Sequence, residues 1–268
     1  MTRAVLVTGA STGIGEACAV RLAARGWRVW AGVRRAGDAP AGTEEVQLDV
    51  TDEEQIRSVS DAIGELHGLV NNAGIALAAP LEFIPVQELR RQLDVNLVGA
   101  VAVTQAFLPQ LRASRGRIVF VGSIAGRSAL PFLGAYAASK HAMEAIADSL
   151  RLEVAPFGIG VSIVEPGTIR TPIWTKSAAV ADELLRGMPA DVAELYGARM
   201  AAFRRFAAKR GAGGASVDSV AAAVERALES DRPPTRQLVG RDARLRAGVE
   251  RLPDRLRDRI YRRVLLDD

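Results

Sequence analysis

Apolar positions along the chain fall into short runs separated by longer stretches with helical spacing. Ala4–Thr8, Trp27–Val33, Glu45–Leu48, Leu69–Asn71, Arg117–Gly122, Ile159–Glu165 and Gln237–Val239 read as strands. They are short, partly β-branched, and bounded by Gly, Pro, Asn or Asp. Between them, Ile14–Arg25, Asp52–Leu66, Leu89–Arg112, Gly134–Pro156 and Val217–Ser230 carry the period of amphipathic helices. Strands that are almost continuously apolar imply burial on both faces. Their alternation with helices implies parallel pairing through right-handed crossovers. The expected fold is therefore α/β: a doubly wound, Rossmann-like parallel sheet of about seven strands in one domain, with helices on both faces.

Two segments depart from this rhythm. Residues 168–214 form a connection far longer than a βα loop needs, with Trp174, Met188, Tyr196, Met200, Phe203 and Phe206 among small residues. It is expected to be a substrate-binding loop that closes as a lid over a sizeable hydrophobic substrate. Residues 241–268 place Leu245, Val249, Leu252, Leu256, Ile260 and Val264 at helical spacing, and Pro253 starts a second helix there. This tail holds nine Arg against six acidic residues. Such a helix can lie on a membrane; packing against the body, where it narrows a substrate pocket, is the reading adopted.

Composition narrows the function classes. At 268 residues, 49% hydrophobic and 25% charged, the chain can bury a large core. Cys18 is its one cysteine and His67 and His141 its only histidines, so neither a disulfide framework nor a metal site is expected. The net charge of +4 comes almost wholly from Arg, without interleaved aromatics, so no nucleic-acid partner is expected. The longest uncharged run, Val95–Leu111, contains Asn96, Thr104, Gln105 and Gln110 and falls short of the ~20 apolar residues of a membrane span. Met1 runs directly into the first strand with no leader-like pattern, and the expected location is the cytoplasm.

The first strand ends in Thr8-Gly9-Ala10-Ser11-Thr12-Gly13-Ile14-Gly15 and a helix follows. Glycines permit a tight turn and close backbone approach to a pyrophosphate, and the helix N-terminus offers free N–H groups. The spacing Gly9-x3-Gly13-x-Gly15 differs from G-x-G-x-x-G, and three glycines in a turn can also be purely structural. The second strand ends in Val33-Arg34-Arg35, where an acid would hold a ribose hydroxyl. Arginines there can grip a 2′-phosphate, so NADP(H) is expected, with NAD(H) the alternative. The competing reading leaves both arginines facing solvent, and Thr12 lacks the basic side chain that would strengthen the case.

Tyr136 and Lys140 stand at i and i+4 of a helix, on one face. A phenol titrates near ~10 in water. An ammonium beside it favours the phenolate, making an acid/base pair suited to alcohol–carbonyl chemistry. Ser123 ends the fifth strand, where a hydroxyl can bond a substrate oxygen or merely cap a turn. Asn96 lies in an apolar helix and needs a partner: a water relaying protons to Lys140, or a kinked backbone.

In this order the motifs resemble those of the short-chain dehydrogenase/reductase family over almost the whole chain. Thr8–Gly15 is similar to its cofactor turn. Asp49 and Val50 are similar to the segment whose Asp holds the adenine. Asn71-Asn72-Ala73-Gly74 resembles the motif supporting the sheet beside the cofactor. Asn96, Ser123, Tyr136 and Lys140 resemble the catalytic tetrad. Pro166-Gly167, followed by Ile169 and Thr171, resembles the segment that meets the nicotinamide. The resemblance implies that Lys140 also holds the nicotinamide ribose, that hydride leaves the B face, and that the protein is a homodimer or homotetramer. Gly68 departs from the pattern, where many relatives carry an acid or another apolar residue. Val29–Arg35 and residues 236–243 loosely resemble relatives acting on retinoids and steroids. The expected function is interconversion of a secondary alcohol and a ketone on a hydrophobic small-molecule substrate. Rival readings are a nucleotide-sugar epimerase or dehydratase, and a non-catalytic NADP(H)-binding sensor. His141, His67 and Cys18 read as structural.

Overall fold

The central strands are apolar because both of their faces are covered. In a computed structural model, which describes residues 2–171, 186–187 and 191–265, β1 (Ala4–Thr8) and β4 (Gly68–Asn71) are buried at every position. They share one sheet with β2 (Arg28–Val33), β3 (Glu44–Gln47), β5 (Arg117–Val121), β6 (Gly160–Pro166) and β7 (Arg236–Val239). The sheet has seven strands in the order β3-β2-β1-β4-β5-β6-β7, all parallel. This is the expected doubly wound architecture, with the strand order reversing beside β1. The edge strand β3 alternates half-buried and exposed positions, as an edge should.

Two apolar layers flank the sheet. On one face, α1 (Gly13–Ala24) packs Cys18, Ala19 and Leu22 against Val220, Val224 and Leu228 of a helix over Val217–Glu229. On the other, α2 (Glu53–Ala62), α4 (Gly99–Ser114) and α5 (Gly134–Val154) bury Ile56, Phe107, Leu111, Met143 and Ala147. Asp52 caps α2 by accepting from the N–H groups of Glu54 and Gln55, each at 3.0 Å.

The periodicity of Leu89–Arg112 predicts one helix, and the chain builds three pieces instead. α3 (Val86–Leu93) leads through a π-helical turn, Asp94–Val98, into α4. The wide turn rotates Asn96 inward, where it is fully buried, and such π-bulges recur at functional sites. The helix expected over Asp52–Leu66 stops at Ala62. Of the long connection 168–214, residues 172–185 and 188–190 lie outside the described residues, Trp174 and Met188 among them. Asp191–Ala212 is not loop but helix, α6; Val217–Glu229 is α7. The tail forms α8 (Arg241–Val249) and α9 (Asp254–Leu265). α9 packs Leu265 with Leu130, Leu133 and Phe203, making a cap over the C-terminal edge of the sheet. Among the described residues, no helix is long and apolar enough to cross a membrane.

Candidate active site

The cofactor turn is shaped by close backbone approach. Gly9 and Gly13 have φ of +65° and +66°, the left-handed region that favours glycine. A Cβ on Gly15 would overlap the Gly9 carbonyl and the Asn72 amide. Asn72 Nδ2 donates to the carbonyls of Thr8 and Gly9 at 2.9 and 3.1 Å. The Thr8 hydroxyl accepts from the N–H groups of Asn72 and Ala73, both at 3.0 Å, and Ala10 N–H is tied to the Gly32 carbonyl at 3.0 Å. The turn after β1 is thus stitched to both neighbouring strands. Thr12 is extended and its side chain does not cap α1, which leaves the first N–H groups of the helix without a side-chain cap; Ser11 and Ile14 beside it are half-buried. The cradle fits a pyrophosphate.

The other expected contact residues lie after β2, β3 and β4. Arg34 and Arg35 are exposed immediately after β2. Burial raises the Asp49 carboxyl, but hydrogen bonds from Thr51 and the charge of Arg34 outweigh it and hold the group below its ordinary value. The carboxylate accepts from Thr51 N at 2.9 Å and Oγ1 at 2.7 Å. Val50 is buried beneath Gly99, which has no room for a Cβ. Gly74 is exposed beside the Asn96 amide.

Asn96 finds its partner in backbone. Its Oδ1 accepts from Ile75 N at 2.8 Å, and its Nδ2 donates to Ile75 O at 2.9 Å and to Ser139 Oγ at 3.0 Å. Ser139 in turn donates to the Tyr136 carbonyl at 2.7 Å. Asn96 therefore joins the chain after β4 to the start of α5. Gln92 repeats the device one turn earlier, accepting from Leu77 N and donating to Ile75 O. Sequence reasoning missed Gln92 and Ser139; a polar side chain recurring on an otherwise apolar face was the available signal.

Ser123 and Tyr136 line one cavity of about 190 Å³, walled by Leu130, Leu133, Phe203, Phe206, Ile260, Val264 and other apolar residues. Ser123 Oγ also accepts from Ala125 N at 3.1 Å, so it caps a short 3-10 turn, Ile124–Gly126, as well as facing the cavity. Lys140 lies buried behind Tyr136. Its Nζ donates to the Val121 carbonyl at 2.8 Å and stands 5.9 Å from the phenol ring centroid. Burial pulls the lysine down to about 8, against the attraction of Glu144. The phenol is pushed up, not down as expected from the Tyr136–Lys140 spacing. Desolvation of the phenolate is the largest influence on it, and the opposing influences come from Ser123 and Arg246.

The segment after β6 closes the wall. Pro166 O accepts from Ser123 Oγ at 3.5 Å, and Gly167 N–H donates to Val239 O at 2.8 Å. Ile169 is buried and bridges to Ala215; Thr171 is half-buried at the end of the described stretch. Asp242 of α8 accepts from Thr168 N at 2.7 Å. Neither Asp242 nor Arg246 was expected at the site, because nothing in a basic amphipathic pattern singles them out.

The family model described as short chain dehydrogenase matches residues 3–181. The chain belongs to the short-chain dehydrogenase/reductase family. Two relatives and one solved structure set its surroundings within the family. The chain is 33% identical over 278 residues to an NADPH-dependent 3-dehydrocapnine reductase of Ornithobacterium rhinotracheale, covering 97% of this chain and 96% of the relative. It is 37% identical over 279 residues to 17-beta-hydroxysteroid dehydrogenase type 6 of Bos taurus, covering 97% and 87%. A crystal structure of a short chain dehydrogenase from Burkholderia cenocepacia in complex with NADP superposes with a TM-score of 0.73 at 27% identity, covering 98% of each chain. This short-chain dehydrogenase is thus an oxidoreductase acting on CH–OH groups.

Proposed function

We propose that this dehydrogenase interconverts a secondary alcohol and a ketone on a hydrophobic substrate, with NADP(H) as cofactor. The carrying observation is one apolar cavity whose wall holds a serine hydroxyl and a phenol, with a buried lysine behind them. A bound nicotinamide supplies or receives the hydride. In reduction, the Tyr136 hydroxyl gives its proton to the carbonyl oxygen as the carbonyl carbon takes the hydride. Ser123 donates a hydrogen bond to the same oxygen and orients it. Lys140, by its charge, favours the phenolate left on Tyr136 and holds the nicotinamide ribose. Asn96 positions the other groups through Ile75 and Ser139.

NADP(H) is supported by the NADPH-dependent relative, by the NADP complex among similar structures, and by Arg34 and Arg35 in place of an acid after β2. The hydrophobic substrate is supported by the apolar walls. A homodimer or homotetramer is supported by exposed Val98, Leu152 and Phe157 around α4 and α5. A cytoplasmic location belongs to the same proposal and is checked by fractionation.

The test is NADPH oxidation against a panel of hydrophobic ketones, with Tyr136→Phe as control. Turnover lost by at least about a hundredfold in the variant, with NADPH still bound, is the expected result. Full activity without the phenol would remove Tyr136 from the chemistry.

A further inference from the structure

The cavity wall carries a guanidinium that hydride transfer does not use. Arg246 of α8 lines the same space as Ser123 and Tyr136. Its Nε and Nη2 donate to Ser128 Oγ and O at 3.2 and 2.8 Å, and Tyr261 is its other described hydrogen-bond partner. All of these partners are neutral. Asp242 and Glu250 act on Arg246 through charge without a hydrogen bond to it, and both are also engaged elsewhere: Asp242 with Thr168 N, and Glu250 with Tyr261 Oη at 2.6 Å and Arg257 at 3.4 Å. Arg210, stacked on Phe206, adds a second cation to the lining, against Asp242 as the one acid among its described residues. An arginine stays charged even when desolvated, and a desolvated charge is costly until an opposite charge meets it. The polar end of this otherwise apolar cavity therefore carries more cationic than anionic side chains among the described residues.

We infer that the substrate is an apolar molecule bearing an anionic group of the carboxylate class, and that this group pairs with Arg246 while the reacting oxygen meets Tyr136 and Ser123. The inference rests on the ketone-reducing reading for the position of the carbonyl, but not for the pairing itself. Arg246, Tyr136 and Ser123 line one cavity of about 190 Å³, so the anion and the carbonyl lie only a few carbons apart. Arg246 is then a specificity-determining residue. A guanidinium offers two parallel donors to a carboxylate, which an amide of the same shape cannot match.

Two measurements on the full-length protein test this. In the first, kcat/KM with NADPH is compared for γ-oxo- and δ-oxodecanoate against their primary amides. In the second, octanoate and octanamide are titrated calorimetrically into the protein–NADP+ complex. Both are repeated with Arg246→Gln and Arg246→Lys. The expected preference for the acid is about tenfold or more in each measurement. It disappears in Arg246→Gln and is weakened in Arg246→Lys, which keeps the charge but loses the fork. If Arg246→Gln does not fold, the Arg246→Lys comparison decides alone. Ketone turnover with no preference for acids overturns the inference and leaves the proposed reaction standing. Arg246-dependent octanoate binding without any ketone turnover does the reverse. Absence of an acid preference from both measurements, or its survival in Arg246→Gln, overturns the inference.

Discussion

Gly167 is without a side chain where the Asp242 carboxylate fills the space: a Cβ there would overlap that group. The contact joins the end of β6 to α8, across 75 residues of chain, and Asp242 also holds the neighbouring Thr168 N–H at 2.7 Å. The cavity wall is consequently set by the C-terminal cap. Gly167→Ala should cost about 1–3 kcal/mol by overpacking, and Asp242→Ala a similar amount by leaving a backbone donor unpaired. The double variant should recover about 1–2 kcal/mol relative to the sum, read from denaturant midpoints. Strict additivity would show that the two residues do not meet.

Arg34 is exposed after β2 and acts electrostatically on Asp49. Arg34→Asp should raise KM for NADPH about tenfold or more and lower KM for NADH, because the new carboxylate repels a 2′-phosphate and accepts a ribose hydroxyl. Unchanged KM values for both cofactors would assign Arg34 to solvent.

Burial holds the Lys140 ammonium below the usual lysine range, down to about 8. Below that pH the ammonium is present; above it the lysine is neutral and no longer favours the phenolate. Reductive kcat/KM should therefore fall as pH rises through about 8. Glu144, whose own carboxyl is raised to about 7 by burial and by the charge of Glu165, is ionised there and holds the lysine proton in place. Glu144→Gln removes that attraction, so the alkaline limb should move to lower pH. A limb that stays in place in the variant would sever the link between the two side chains.

Asn96 bonds both backbone groups of Ile75 and the Ser139 hydroxyl. Asn96→Ala strands several buried polar groups and should cost about 2–4 kcal/mol, lowering Tm by roughly 5–10 °C. An unchanged melting curve with lost turnover would assign Asn96 to the chemistry and not to positioning.

Gly15 and Gly197 make a matched pair. Gly15 has backbone against it, whereas Gly197, within α6, has open space. Gly15→Ala should destabilise and weaken NADPH binding measured by fluorescence titration. Gly197→Ala should stabilise by about 0.5–1 kcal/mol through helix propensity. Equal effects of the two alanines would contradict the packing described for the cofactor turn.

The sequence by itself determined the seven strands, the burial of the central ones on both faces, the glycine turn at the first helix and the Tyr136–Lys140 spacing. Each depends on periodicity or on turn chemistry within a few residues, which the order of residues states directly. The break in Leu89–Arg112 stayed hidden, because a π-helical turn keeps the composition of a helix and is selected by what Asn96 meets across the fold. Only the tertiary structure decided the direction of the Tyr136 phenol, since desolvation depends on every element packed around it and outweighs the local spacing. It alone brought Asp242, Arg246 and Tyr261 to the cavity. Contacts between residues so far apart in the chain are chosen by the packing of the cap on the sheet, and no local pattern encodes that packing.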